Sequence, residues 1–351
     1  MTPIVPRKTS TRNQPLAWLA NLIVGIGLCG TPAIGQVDGA ESTGRAVVGQ
    51  RVELERVIDG SAAGKKKWIR WVTGENRTSS LFGRPYGVAW EGDDLLVTDP
   101  GLGRVVRIDR RGRVKMSPEG AFATPIDIAT CNPWNLVTDS ASGEVVFIDK
   151  NLKPVGKLAE GLTRPTGIAC TESSVFVVET GRHRILVYQA GPTTGRGLKP
   201  SFELTATFGE RGTEPGEFNF PTVIALGVGS LWVGDTLNFR IQRLDAIRGE
   251  PLREFGQLGD APGEMPRIKG ITVDPSGFLW VSDAYLNQVS LYSPDGTFLM
   301  YLGEASAADD GFSFPAGIAA HPDGRVAVVD SMNRRIQIYR LVPSPSPEKG
   351  S

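Results

Sequence analysis

Two markers recur in step along this chain, and together they count six copies of one unit. A proline opens a small-apolar run at Pro85, Pro125, Pro165, Pro221 and Pro315, and Ile268 fills the fifth place, giving spacings of 40, 40, 56, 47 and 47 residues. An acidic residue closes a later apolar run at Asp99, Asp139, Glu179, Asp235, Asp283 and Asp330, spaced 40, 40, 56, 48 and 47. Internal periodicity of this kind decides the architecture before any local motif is weighed. Within each unit, runs such as Leu95-Leu96-Val97, Val175-Phe176-Val177-Val178 and Leu279-Trp280-Val281 have strand chemistry. Turn signals separate them, among them Asp274-Pro275-Ser276-Gly277 and Pro322-Asp323-Gly324.

Units of about 40–50 residues with four short strands each are the sequence sign of propeller blades. The expected fold is therefore all-β, a six-bladed β-propeller of four-stranded antiparallel blades. The last unit ends at Leu341 with only three strands. Lys67-Trp68-Ile69-Arg70-Trp71-Val72 precedes the first unit and has no blade of its own, so it is expected to supply the missing outer strand, with residues 50–58 packed beside it. An N-terminal strand closing the ring in this way would leave no open sheet edge.

Phe314-Pro315-Ala316-Gly317-Ile318-Ala319, followed by Val328-Val329-Asp330-Ser331-Met332-Asn333-Arg334-Arg335-Ile336-Gln337-Ile338-Tyr339, resembles the NHL repeat. Asp235-Thr236-Leu237-Asn238-Phe239-Arg240-Ile241-Gln242 repeats the second half. The first two units match less well, since Gly101-Leu102-Gly103-Arg104 and Ser140-Ala141-Ser142-Gly143 lack the asparagine. The resemblance runs from residue 66 to 341 and fits the exported bacterial type. It implies an interaction platform, in some exported members one tied to cell-envelope assemblies including multihaem cytochrome systems. Six-bladed propellers also include metal-dependent lactonases and lyases, which is the alternative function.

Arg7, Lys8 and Arg12 precede an uncharged stretch from Leu16 to Leu28, and Ala33-Ile34-Gly35 offers a small-x-small cleavage site. That stretch of 13 residues falls short of the roughly 20 that span a bilayer. Residues 1–35 are thus expected to be a cleaved signal peptide, residues 36–49 a disordered linker, 50–341 the propeller and 342–351 a disordered tail. The mature protein would be periplasmic or extracellular. It would touch a membrane only if lipidated at Cys29, where Leu28 is a poor neighbour for that chemistry, or if the signal stayed uncleaved. Lysine plus arginine equals aspartate plus glutamate at 38 each, so no bulk field favours nucleic acid.

Few residues promise reaction chemistry. A group that recurs in every blade answers to blade geometry, so the six repeat acids are expected to accept backbone N–H bonds at turns. His183 lies in Gly181-Arg182-His183-Arg184-Ile185, similar to the NHL core, and His321 lies in a turn. Neither has a histidine or cysteine at ligand spacing, so no metal site is expected. No Cys-x-x-Cys-His stretch exists for covalent haem, and no cofactor is expected. Cys131 and Cys170 stand six and five residues after their prolines, an offset that predicts two free buried thiols. Trp232 and Trp280 share a slot with Phe176 and Leu96, which predicts core. Trp90 and Trp134 fall outside that slot.

The units disagree where the first strand of each blade would line the central channel. Arg84, Tyr86, Asp127, Arg164, Thr166, Thr222, Arg267 and Lys269 cluster around the repeat proline, with Thr124 among them. Asp127 is singular, since Gly87, Gly167, Gly270 and Gly317 occupy its place elsewhere. Four cations and a lone acid at a concave mouth suit a small anionic ligand or a protein partner's acidic loop. A second departure is the insertion near Gly191 to Ser201, expected on the opposite face. The expected function is therefore a non-catalytic scaffold or ligand-binding propeller of the cell envelope.

Overall fold

The computed structural model describes residues 50–60, 80–131, 133–191, 201–227 and 229–343. The expected signal peptide, the linker, Lys67–Val72 and most of the tail lie outside the described residues. Six four-stranded antiparallel sheets form six blades. Their first strands are Val88–Glu91, Pro125–Cys131, Pro165–Cys170, Pro221–Gly227, Ile268–Val273 and Pro315–Ala320. These strands touch their neighbours in a closed cycle, the sixth meeting the first, so the structure is the six-bladed β-propeller expected.

The second strand of each blade is buried after its first residue, and Ser174–Glu179, Ser230–Asp235 and Leu279–Asp283 are buried along their whole length. Each blade is covered on both faces by its neighbours, which is why these strands read as continuous apolar runs without alternation. The core is correspondingly divided into six apolar clusters, each between adjacent blades. Val97 and Val106 of blade 1, for example, pack on Val329 and Ile336 of blade 6. Trp232 and Trp280 are fully enclosed in two such clusters.

The ring closes by a different segment from the one expected. Gln50–Asp59 pairs antiparallel with Arg335–Pro343, with Val52 opposite Leu341 and Asp59 opposite Arg335, and so forms the outer strand of blade 6. An outer strand is covered on one side only. Its apolar residues Val52, Leu54, Val57 and Ile58 are therefore interleaved with charges, a weaker strand signal than the aromatic run at 67–72. The paired strand also continues to Pro343, two residues beyond the expected end of the propeller.

Each repeat acid is buried and accepts a backbone N–H from the loop that leads into its own blade. Asp99 takes Gly83 and Arg84, Asp139 takes Ala123 and Thr124, Glu179 takes Thr163, Asp235 takes Asn219, Asp283 takes Arg267 and Asp330 takes Ser313. The acid thus ties the end of the second strand to the start of the first. Turn bonds of the expected kind occur as well, Leu102 N–H donating to Asp99 at 3.0 Å.

Around the axis the first strands come closer than stacked sheets do. A Cβ added to Gly87 would lie 2.5 Å from the Ile126 carbonyl oxygen of the next blade, and one on Gly317 would lie 2.5 Å from the Tyr86 carbonyl oxygen. This convergence overturns the expectation of free thiols. Cys131 and Cys170 end the first strands of blades 2 and 3 and form a disulfide, with Cα atoms 5.7 Å apart. Stacked sheets would stand roughly 10 Å apart, but at the axis a one-residue offset is readily bridged.

Candidate functional site

The residue just before each first-strand proline, or before Ile268, projects at one mouth of the channel. In blades 1, 3 and 5 it is Arg84, Arg164 and Arg267, and in blades 2, 4 and 6 it is Thr124, Phe220 and Phe314. Three arginines therefore stand at the same repeat place on alternate blades. Their backbones are fixed by the fold. The Arg84 and Arg267 N–H groups are held by Asp99 at 2.8 Å and Asp283 at 2.6 Å, and Arg164 adopts a left-handed φ of 57°. In blades 4 and 6 a side chain of the preceding blade does this work, His183 Nδ1 accepting from Phe220 N–H and Asn287 Oδ1 from Phe314 N–H. His183 thereby has a positional role and packs edge-on against Phe220.

Two connected spaces lie among these residues. The channel proper, about 250 Å³, is lined by Arg84, Tyr86, Asp127 and Thr166 among others, and a wider groove of about 730 Å³ opens toward blades 4 and 5 and includes Arg267. Arg164, Thr222 and Lys269 line both. All eight residues expected around the mouth are thus brought together. Those that sequence reasoning missed are Phe220, Leu237, Leu258 and Tyr285 in the groove wall. A relay of hydroxyls also runs beneath it, with Thr166 to Thr180 at 2.7 Å and Thr222 to Thr236 at 2.6 Å.

Burial distorts the titration of three channel groups. Asp127 is pushed up to about 7 by desolvation, although its carboxylate accepts N–H bonds from Ile168 and Ile128. Tyr86 is pushed up to about 12, first by burial and then by the Asp127 charge, with the three mouth arginines pulling the other way. Lys269 is lowered to about 8 by burial, and then by the like charges of Arg267 and Arg164. Among the described residues, Arg84, Arg164, Arg267 and Lys269 have no side-chain hydrogen bond or ion pair, Arg84 alone stacking over the Phe314 ring at 5.5 Å. The mouth gathers four cations, with Asp127 and Asp260 the acids that line the same spaces.

A second cluster lies at the seam between blades 1 and 6. Ligand-type atoms of Asp93, His321 and Asp323 fall within 4.8 Å of one another. The Arg325 guanidinium already occupies this place, 2.8 Å from Asp323 and 2.5 Å from Asp93, and it stacks on Trp90 at 4.8 Å. Trp90 Nε1 donates across the same seam to the Ala319 carbonyl. These contacts latch the ring shut and supply a cation without a metal. The insertion of blade 3 falls between its third and fourth strands, where Gly191 N–H donates to the Ser201 carbonyl, and residues 192–200 lie outside the described residues.

Six blades closed by an N-terminal strand, with an acid-to-loop tie repeated in each, define a six-bladed β-propeller of short-repeat type. The NHL repeat family model matches residues 312–339, within blade 6, and together with the six-bladed ring this match supports a propeller of the NHL-repeat kind. Over 121 residues it is 31% identical to peptidyl-glycine alpha-amidating monooxygenase A of Xenopus laevis, covering 32% of this chain and 13% of that protein. Over 197 residues it is 29% identical to NHL repeat-containing protein 3 of Mus musculus, covering 52% of this chain and 54% of that one. The chain thus spans about an eighth of the first relative's length and about half of the second's. Among solved structures, the gluconolactonase XC5397 from Xanthomonas campestris superimposes with a TM-score of 0.54 at 16% identity, covering 74% of this chain and 87% of that one. At that identity the likeness is one of fold alone.

Proposed function

We propose that this protein is a non-catalytic recognition propeller, exported to the cell envelope, which binds a small anion at the channel mouth. One observation carries the reading. Arg84, Arg164 and Arg267 occupy equivalent places on alternate blades, and together with Lys269 they surround a cavity without an acid partner of their own. Cations held on fixed backbone and left unpaired are arranged to meet charge that arrives from outside. Export is supported by the basic, apolar and small-residue pattern of residues 1–35 and by the Cys131–Cys170 disulfide, which suits an oxidising compartment.

The alternative, a metal-dependent lactonase or lyase, needs several inward-facing ligands. Among the described residues Asp127 is the only acid lining the channel, and its two oxygens are engaged by backbone N–H groups. Elemental analysis of the purified protein separates the readings, since stoichiometric calcium or zinc would support the enzyme. Calorimetric titration with sulfate at low and at physiological salt tests the anion site. Binding that weakens as salt rises is the expected result, and no heat at low salt overturns the proposal.

A further inference from the structure

The groove lined by the cations also has large apolar residues in its wall, Leu237, Leu258 and Tyr285, and the repeat does not require them there. Two residues after each repeat acid, blades 1, 2 and 3 carry Gly101, Ala141 and Gly181, whereas blades 4, 5 and 6 carry Leu237, Tyr285 and Met332. The small residues show that blade geometry is satisfied without bulk at this place. Leu237 is 47% exposed, Tyr285 66% and Met332 58%. Leu258, 61% exposed, joins Leu237 and Tyr285 around the same groove from the loop that leads into blade 5. Large apolar side chains left open to water beside one another mark a surface that is covered by something else.

The cations line the same space. Arg164, Arg267 and Lys269 line the groove against a single acid, Asp260. A volume of about 730 Å³ falls within the roughly 300–1,000 Å³ of small-molecule sites. The loop bearing Leu258 is also the least tethered of three equivalent loops. In blade 4, Arg240 and Gln242 donate to the Glu214 and Glu217 carbonyls, and in blade 6, Arg335 and Gln337 donate to those of Ala307, Ala308 and Gly311. Blade 5 has Gln288 and Ser290 in those places, and a single bond from Tyr292 Oη to the Gly263 carbonyl at 3.2 Å.

We infer that the ligand is an amphipathic organic carboxylate, its charged group set against Arg164, Arg267 and Lys269 and its apolar body lying along Leu237, Leu258 and Tyr285. This inference rests on the anion-binding reading above and narrows it to one chemical class.

Titration of the purified protein with acetate, butyrate, hexanoate and octanoate, at one pH and ionic strength, tests it. Affinity should rise with each pair of methylenes, by about tenfold or more over the series. The double variant Leu237→Ser/Leu258→Ser, altered only at exposed positions, should lose that gain while binding sulfate as the wild type does. The double variant Arg164→Ala/Arg267→Ala should lose both. Sulfate binding retained together with a flat chain-length series overturns the inference and leaves the anion site standing. Octanol binding as tightly as octanoate overturns it too, because the charged half of the site would then contribute nothing.

Discussion

Asp127 Oδ2 accepts the Ile168 backbone N–H at 3.1 Å, across the boundary between blades 2 and 3. Its place is held by glycine in four other blades, where the strands approach too closely for a side chain. Here the carboxyl is wedged into the inter-blade contact, and burial drives it to about 7. A carboxyl raised in the folded state stabilises the fold when protonated. That contribution is complete below its unfolded value, near 4, and is lost as pH rises through 7. The gap between about 4 unfolded and about 7 folded corresponds to roughly 4 kcal/mol as an upper bound, reduced by whatever water reaches the channel. Asp127→Asn should therefore gain thermal stability relative to wild type between pH 4 and pH 8. Melting curves across that range check it, and parallel curves for the two proteins would contradict it.

Anion binding should itself depend on pH through two groups with the same sign. As pH rises from 6 to 9, Asp127 gains negative charge and Lys269, lowered to about 8, loses its proton. Both changes weaken attraction for sulfate, whose own charge is constant over this range. Lys269→Arg should remove the upper part of the loss and Asp127→Asn the lower part, as read from calorimetric affinities.

Two arginines make a direct contrast between structure and site. Arg335 donates to Asp330 at 2.7 Å, both groups being buried. Arg335→Ala strands that carboxylate and should cost about 3–5 kcal/mol. Arg84 is exposed and unpaired apart from its stacking on Phe314, so Arg84→Ala should change stability by no more than about 0.5 kcal/mol. Urea unfolding of the two variants measures both.

The disulfide closes a loop with a sequence separation of 39. On the chain-entropy account a loop of this size is worth about 4 kcal/mol. Cys131→Ser/Cys170→Ser should lower Tm by several degrees, and in the intact protein neither thiol should react with a maleimide before reduction. Labelling of either cysteine without reductant would refute the pairing.

The blade count, the first strands, the repeat acids and the enclosed Trp232 and Trp280 were legible in the sequence because each answers to a period. The Cys131–Cys170 bond was not, because it depends on how far neighbouring strands converge at the axis, which spacing along the chain does not report. The closing strand was misplaced because Gln50–Asp59, half exposed, carries a diluted apolar pattern beside the denser run at 67–72. Half of the site was visible as departures from the repeat near the prolines. Its apolar half was not, since Leu237 and Tyr285 look ordinary until blades 1 to 3 are set beside blades 4 to 6.

The most direct test of the basic mouth is the sulfate affinity of Arg164→Ala/Arg267→Ala against wild type, with Arg110→Ala as a control that removes an exposed cation lining neither space, in the turn between the third and fourth strands of blade 1. The double variant should lose at least about tenfold in affinity while the control matches wild type. Equal affinities in all three would contradict a binding site at the channel mouth.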